Sequence, residues 1–267
     1  MGLGFCYGFP LKRELLASAL RGLSADCSLS DSDLARELGV GVKKARAVSV
    51  SLLYMGLRDG KTRSVTPLGA LILERDPQFR QRNTELVLHY QLSSNKQASL
   101  WYWIVNEFVP QVPTFGRSEL VQRYCEDNAV RSNLKNVNGD AKVFVSAYTD
   151  GGCLAATGYL RELDRGTFSI QECQMHPLLL AYAVYDQRER HQAASATVSI
   201  GSLIHSVESP GVIYRLSRGS VDEKIRRLES AGVLDVSTSA ELDNVAYTFE
   251  GSALDLLQLY YESGEDS

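Results

Sequence analysis

The sequence lacks any apolar run approaching the length of a membrane span, which argues against a membrane-spanning helix. It also lacks a secretory leader pattern, because Lys12, Arg13 and Glu14 interrupt the first apolar stretch; a cytoplasmic location is expected. The five cysteines (Cys6, Cys27, Cys125, Cys153 and Cys173) are scattered and contain no CxxC pair. That argues for free thiols in a reducing compartment and against structural zinc. No phosphate loop, Ser-His-Asp order or paired-carboxylate motif is present. Gly39-Val40-Gly41 follows a helical pattern, not a strand, so it is no dinucleotide fingerprint. Glu162, Asp164 and Asp235 lack the spacing of a divalent-metal nuclease centre. The chain is therefore expected to be non-enzymatic, with no cofactor and no metal. Finally, positive charge is not in excess: 28 Lys and Arg face 32 Asp and Glu, a net −4. A strongly basic nucleic-acid coat protein is excluded, and any DNA contact must come from a local patch.

Such a patch is present in residues 30–66, SDSDLARELGVGVKKARAVSVSLLYMGLRDGKTRSVT. Ser30 is an N-cap candidate, with Asp33 in the carboxylate position of a capping box. Leu34, Ala35 and Leu38 make an apolar face, and Gly39 ends that short helix. After a Val40-Gly41-Val42 turn, the spacing of Ala45, Val48, Leu52 and Met55 predicts a second helix over 43–55. Lys43, Lys44 and Arg46 lie at its start. Arg58, Lys61 and Arg63 surround Asp59-Gly60, a dipeptide favouring a tight hairpin turn. From Gly39 to Arg63, six Lys and Arg stand against one Asp, a local charge of +5. Helix, turn, basic helix and basic hairpin are the order of a winged helix-turn-helix, in which the start of the second helix meets base edges and flanking cations meet phosphates. Cations at a helix N-terminus oppose its dipole, so their placement there favours an anionic partner.

An amphipathic helix over 10–23, opened by Pro10, completes a three-helix N-terminal domain. Another helix follows Thr66-Pro67-Leu68-Gly69 and breaks at Asp76-Pro77. Residues 84–109 contain both tryptophans; Trp101, Ile104, Val105 and Phe108 share one helical face and read as aromatic core. An aromatic platform for a base is the alternative there. His89 reads as a hydrogen-bonded core residue. Arg117, Arg123, Arg131, Lys135 and Lys142 form a second, diluted basic region, read as solvated helix surface. The last third repeats the opening plan: helices over 177–188 and 200–207, then a third capped by Ser220 with Glu223 in the box position. Val221, Ile225 and Leu228 of that helix should be buried, and Lys224, Arg226 and Arg227 exposed. Strands over 233–237 and 245–249, joined through Asp243-Asn244, and a helix over 253–261 follow. The fold class expected is mainly α with small β wings (α+β). Residues 1–75 would be an N-terminal winged helix, 76–164 an aromatic-rich helical middle, and 165–267 a C-terminal winged-helix-like domain.

Four blocks occur in order: LGVGVKKARAVSVSLLYMGL, VTPLGALILERDPQF, TELVLHYQLSSN and WYWIVNEF. In sequence and spacing they resemble a bacterial family of domains of unknown function with a GVGKNMVRAIRYWL-type helix, an LTPLG turn, a DP break, an LLHY-LATN block and a WYW-FN block. The similarity spreads over about residues 5–250 and is strongest in 39–108. Lys43 and Arg46 match the cations of the family's helix. Phe5-Cys6-Tyr7-Gly8-Phe9 stands where members carry a histidine, and Leu52-Leu53-Tyr54 where a tryptophan is usual. The resemblance implies a place beside DNA phosphorothioation or other phage-defence genes, and it supplies no catalytic residue. The function expected is a DNA-binding component of such a system. It would hold duplex DNA through Lys43, Lys44, Arg46, Arg58, Lys61 and Arg63, with sulfur-modification or defence-complex proteins as further partners and no membrane. The alternatives are an adaptor whose winged helices bind proteins or form a homodimer, and a regulator of the defence operon.

Overall fold

The computed structural model describes residues 3–130, 132–149, 151–192, 195–239 and 242–264. The chain divides into two compact units, residues 1–171 and 172–267. It is mainly helical with small antiparallel sheets, an α+β protein.

The first unit opens with α1 (Arg13–Ala25), α2 (Asp31–Glu37), α3 (Val42–Tyr54) and α4 (Pro67–Arg75). Pro10 lies ahead of α1, whose N-cap is Lys12. Leu16, Leu20 and Leu23 of α1, Leu34 of α2 and Leu52 of α3 are almost wholly buried where these three helices pack on one another. Beyond lie α5 (Arg82–Ser93), α6 (Ser99–Trp103), a π-helical stretch Ile104–Phe108, α7 (Val109–Gln111), β1 (Thr114–Gly116), α8 (Arg117–Asp127) and α9 (Leu134–Tyr148). The π stretch widens the helix where the sequence predicts an unbroken α-helix. Asn106 inside it donates to the carbonyls of Ser93 (2.9 Å) and Tyr102 (3.0 Å). β2 (Leu160–Asp164) and β3 (Thr167–Ile170) close a sheet of order β1-β3-β2.

Trp101 and Trp103 are 2% and 3% exposed, so neither offers a face to a base; they are core. Trp101 Nε1 donates to the Tyr148 hydroxyl at 3.0 Å, and that hydroxyl lies 2.6 Å from His89 Nδ1. His89 is fully buried, the hydrogen-bonded core histidine expected.

The second unit comprises α10 (Pro177–Arg190), β4 (Thr197–Ser199), α11 (Ile200–His205), α12 (Pro210–Tyr214), α13 (Arg218–Ser230), β5 (Leu234–Ser239), β6 (Leu242–Tyr247) and α14 (Ala253–Ser263). Its sheet order is β4-β6-β5. Three features of this unit differ from the sequence-based expectation. The N-cap of α13 is Ser217, whose hydroxyl accepts from Ser220 N–H, so the helix starts earlier than a Ser220 cap requires. Lys224 is buried, not exposed, and donates to Ser220 Oγ at 2.9 Å. Asp243 and Asn244 lie within β6, paired with Thr238 and Ser237, because the strand runs further toward the turn than expected. Val221, Ile225 and Leu228 are buried as expected.

Candidate nucleic-acid interface

α2 begins where local chemistry dictates. Ser30 Oγ accepts from Asp33 N–H at 3.1 Å while Asp33 closes the capping box on Ser30. Hydrogen bonds from Ser30 hold the Asp33 carboxyl below its usual range. Gly39, at φ +62°, takes the left-handed conformation that ends the helix, and Val40 N–H returns to Ala35 O at 3.0 Å. α3 then starts at Val42 with Gly41 as N-cap, a residue with no side chain to cap the first turn. Ala45, Val48 and Leu52 face the core; Lys43 and Arg46 are exposed and Lys44 half-buried.

The hairpin after α3 is closed by an Arg58–Val65 bridge, by Asp59 N–H to Ser64 O (2.8 Å) and by Thr66 N–H to Leu57 O (3.0 Å). Its turn is longer than the two-residue Asp59-Gly60 type expected. Asp59 Oδ1 accepts from Lys61 N–H (2.8 Å), Thr62 N–H (2.7 Å) and Thr62 Oγ1 (2.9 Å), which holds the loop open. These bonds, those from Thr62 foremost, keep the Asp59 carboxyl below its usual range. The left-handed position falls on Arg63 (φ +63°), not on Gly60.

The six cations divide into three groups. Lys43 and Lys44 mark the first turn of α3, and Lys61 is exposed at the loop. Arg46 and Arg63 are brought together by Asp31, a residue the sequence reading leaves aside. Its carboxylate lies 4.0 Å from Arg46 Nε and 3.9 Å from Arg63 Nη2. Arg63 also donates to Leu29 O at 2.7 Å, fastening the hairpin to the segment before α2. Arg58 is turned inward: it is 9% exposed and donates to buried Ser49 Oγ of α3 at 2.7 Å. Burial, with Arg63 nearby, pulls its guanidinium below the usual arginine range. The structure therefore sets five cations at or near the surface and uses the sixth to hold the hairpin on α3.

In the second basic region Arg117, Arg123, Lys135 and Lys142 are exposed, as a solvated surface requires; Arg131 lies outside the described residues. Among the described residues, no group of three or more His, Cys, Asp or Glu is placed to hold a metal ion. No described helix is long and apolar enough to cross a membrane.

No curated protein matches the chain in sequence. In fold it is similar to two crystal structures of SspB, one of them magnesium ion-bound. Each has a TM-score of 0.81 at 16% identity, over 100% of this chain and 89% of that one. Residues 8–261 match the family described as protein of unknown function (DUF4007), and the chain belongs to that family.

Proposed function

We propose that this chain is a non-catalytic DNA-binding component of a bacterial DNA-modification (phosphorothioation) or phage-defence system. It holds duplex DNA through an N-terminal winged helix built from α1, α2, α3 and the 57–66 hairpin. The observation that carries this reading is the concentration of Lys43, Lys44, Arg46, Lys61 and Arg63 on α3 and its hairpin, in a chain of net charge −4. Lys43, Lys44 and Arg46 approach the duplex from the start of α3, and Lys61 and Arg63 approach the phosphates from the wing. Arg58 serves the same surface from within by fixing the wing to α3. Membership of the family and the likeness to SspB support the defence-system context.

The test is a titration of the full chain against duplex DNA over a range of salt. Each lost phosphate contact removes about 0.9 from the slope of log K against log salt, so the K43A/K44A/R46A variant should bind more weakly and lose roughly 1.8 from that slope where Lys43 and Lys44 meet phosphate, and roughly 2.7 where Arg46 does so too. Unchanged affinity and slope would reject the assignment. No binding by the wild type at low salt would favour the adaptor reading, which rests on the chain's net acidity.

A further inference from the structure

α3 carries an apolar side chain that the core does not use. Val42, its first residue, is 52% exposed. Helix stability does not account for it, since the first turn favours Pro, Asp or Glu, and valine is a weak helix former. Spacings of four residues place Val42, Arg46 and Val50 along one stripe of α3. Arg46 on that stripe is exposed and Val50 half-buried, while Ala45, Val48 and Leu52 are turned to the core. The backbone ahead of Val42 stands clear: a Cβ added at Gly39 or Gly41 would meet nothing within 4 Å. Lys43 and Lys44 flank the stripe with positive charge, which is complementary to a phosphate-walled groove.

We infer that Val42 reads a base: it packs against the C5 methyl of a thymine in the major groove, with Arg46 one turn along for the neighbouring base edge. The inference rests on the DNA-binding reading above and adds sequence discrimination to it. Thymine alone among the four bases offers a methyl group in the major groove, and an apolar side chain is what recognises it. A β-branched residue held in a helix has one strongly preferred rotamer, so little side-chain freedom is lost when it docks.

The experiment begins with selection of a preferred site by the full chain from a library of randomised duplexes. Each thymine of the selected duplex is then replaced in turn by deoxyuridine, which removes the C5 methyl and nothing else. The expected result is one position where the replacement weakens wild-type binding about fourfold, the worth of roughly one buried methyl group, and has no effect on V42A or V42S. Equal sensitivity of V42A and wild type, or no sensitive thymine, overturns the role of Val42 and leaves the DNA reading standing. Recovery of no preferred site, with binding still lost in K43A/K44A/R46A, also overturns it, because the contact is then to phosphate alone. Absence of any duplex binding removes both.

Discussion

At the scale of single residues, Arg58 and Lys61 meet opposite fates within one hairpin. Arg58 engages Ser49 inside the fold, and Lys61 remains in solvent. Loss of a buried, charge-assisted hydrogen bond costs about 1–3 kcal/mol, whereas exposed substitutions usually stay within about 0.5 kcal/mol. R58A should therefore lower the stability of the first unit, and K61A should leave it unchanged while weakening DNA binding. Urea denaturation read by tryptophan fluorescence checks this, because Trp101 and Trp103 both lie in that unit. Equal stability of the two variants would remove the structural role of Arg58. That role is not legible in the sequence. A cation in a basic hairpin reads as a phosphate contact, and only the approach of Ser49 from the preceding helix turns it inward. Asp31 escapes notice for the same reason: its importance lies in reaching Arg46 and Arg63 at once.

At the scale of elements, signals confined to a few residues are the legible ones. The Ser30–Asp33 capping box and the Gly39 stop occur as expected, because each is settled within one helical turn. The hairpin turn departs from expectation because a side chain outcompetes a dipeptide preference. Asp59 captures two backbone N–H groups, and the left-handed position moves to Arg63. α13 shows a related case, in which two serines compete to cap and the earlier one wins. The packing of α4 on the hairpin yields a prediction at this scale. A Cβ at Gly69 would overlap Leu57 O and lie 2.8 Å from Val65 Cγ1, too close for either backbone or branched side chain to yield cheaply. G69A should destabilise the first unit by about 1–3 kcal/mol. At Gly60 the nearest atom is the flexible end of Leu53, at 3.3 Å, so G60A should be far milder. A thermal melt in which the two variants fall together would contradict the close approach of α4 to the hairpin.

At the scale of the molecule, buried carboxylates set how stability responds to pH. Glu85 of α5 is wholly buried, paired with Arg13 of α1, and accepts from Ala156 N–H at 2.7 Å. Burial raises its carboxyl from the usual 4.5 to about 7, against the opposing pull of Arg13. Asp140 of α9, which accepts from Gly4 N–H at 2.6 Å, is raised by burial from 3.8 to about 6. A carboxyl raised on folding contributes stability below its unfolded value and loses it as pH rises through the folded one. The first unit should therefore weaken between about pH 4 and pH 7. E85Q should flatten the upper part of that decline, by up to about 3 kcal/mol if the whole shift is realised. The surface carboxyls Asp26, Asp33 and Asp59 have the opposite sign, and their contribution is lost as pH falls below about 4. Denaturation midpoints measured across this range for wild type and E85Q decide the matter; parallel curves would deny Glu85 its part.

What is local or periodic is set by the order of the amino acids. That order determines the α+β class, the helices of the three-helix opening, the buried aromatic segment around Trp101 and His89, and the concentration of positive charge between Gly39 and Arg63 in an acidic chain. Period and capping are properties of neighbouring residues, and charge is a property of composition. Long-range packing sets which cations reach solvent, that Asp31 joins two of them, that Val42 stands exposed at the head of α3, and that Lys224 is buried. Each of these depends on which side chain a distant segment brings within hydrogen-bonding or packing distance. That pairing is settled by the burial of the core as a whole, and no window of sequence contains it.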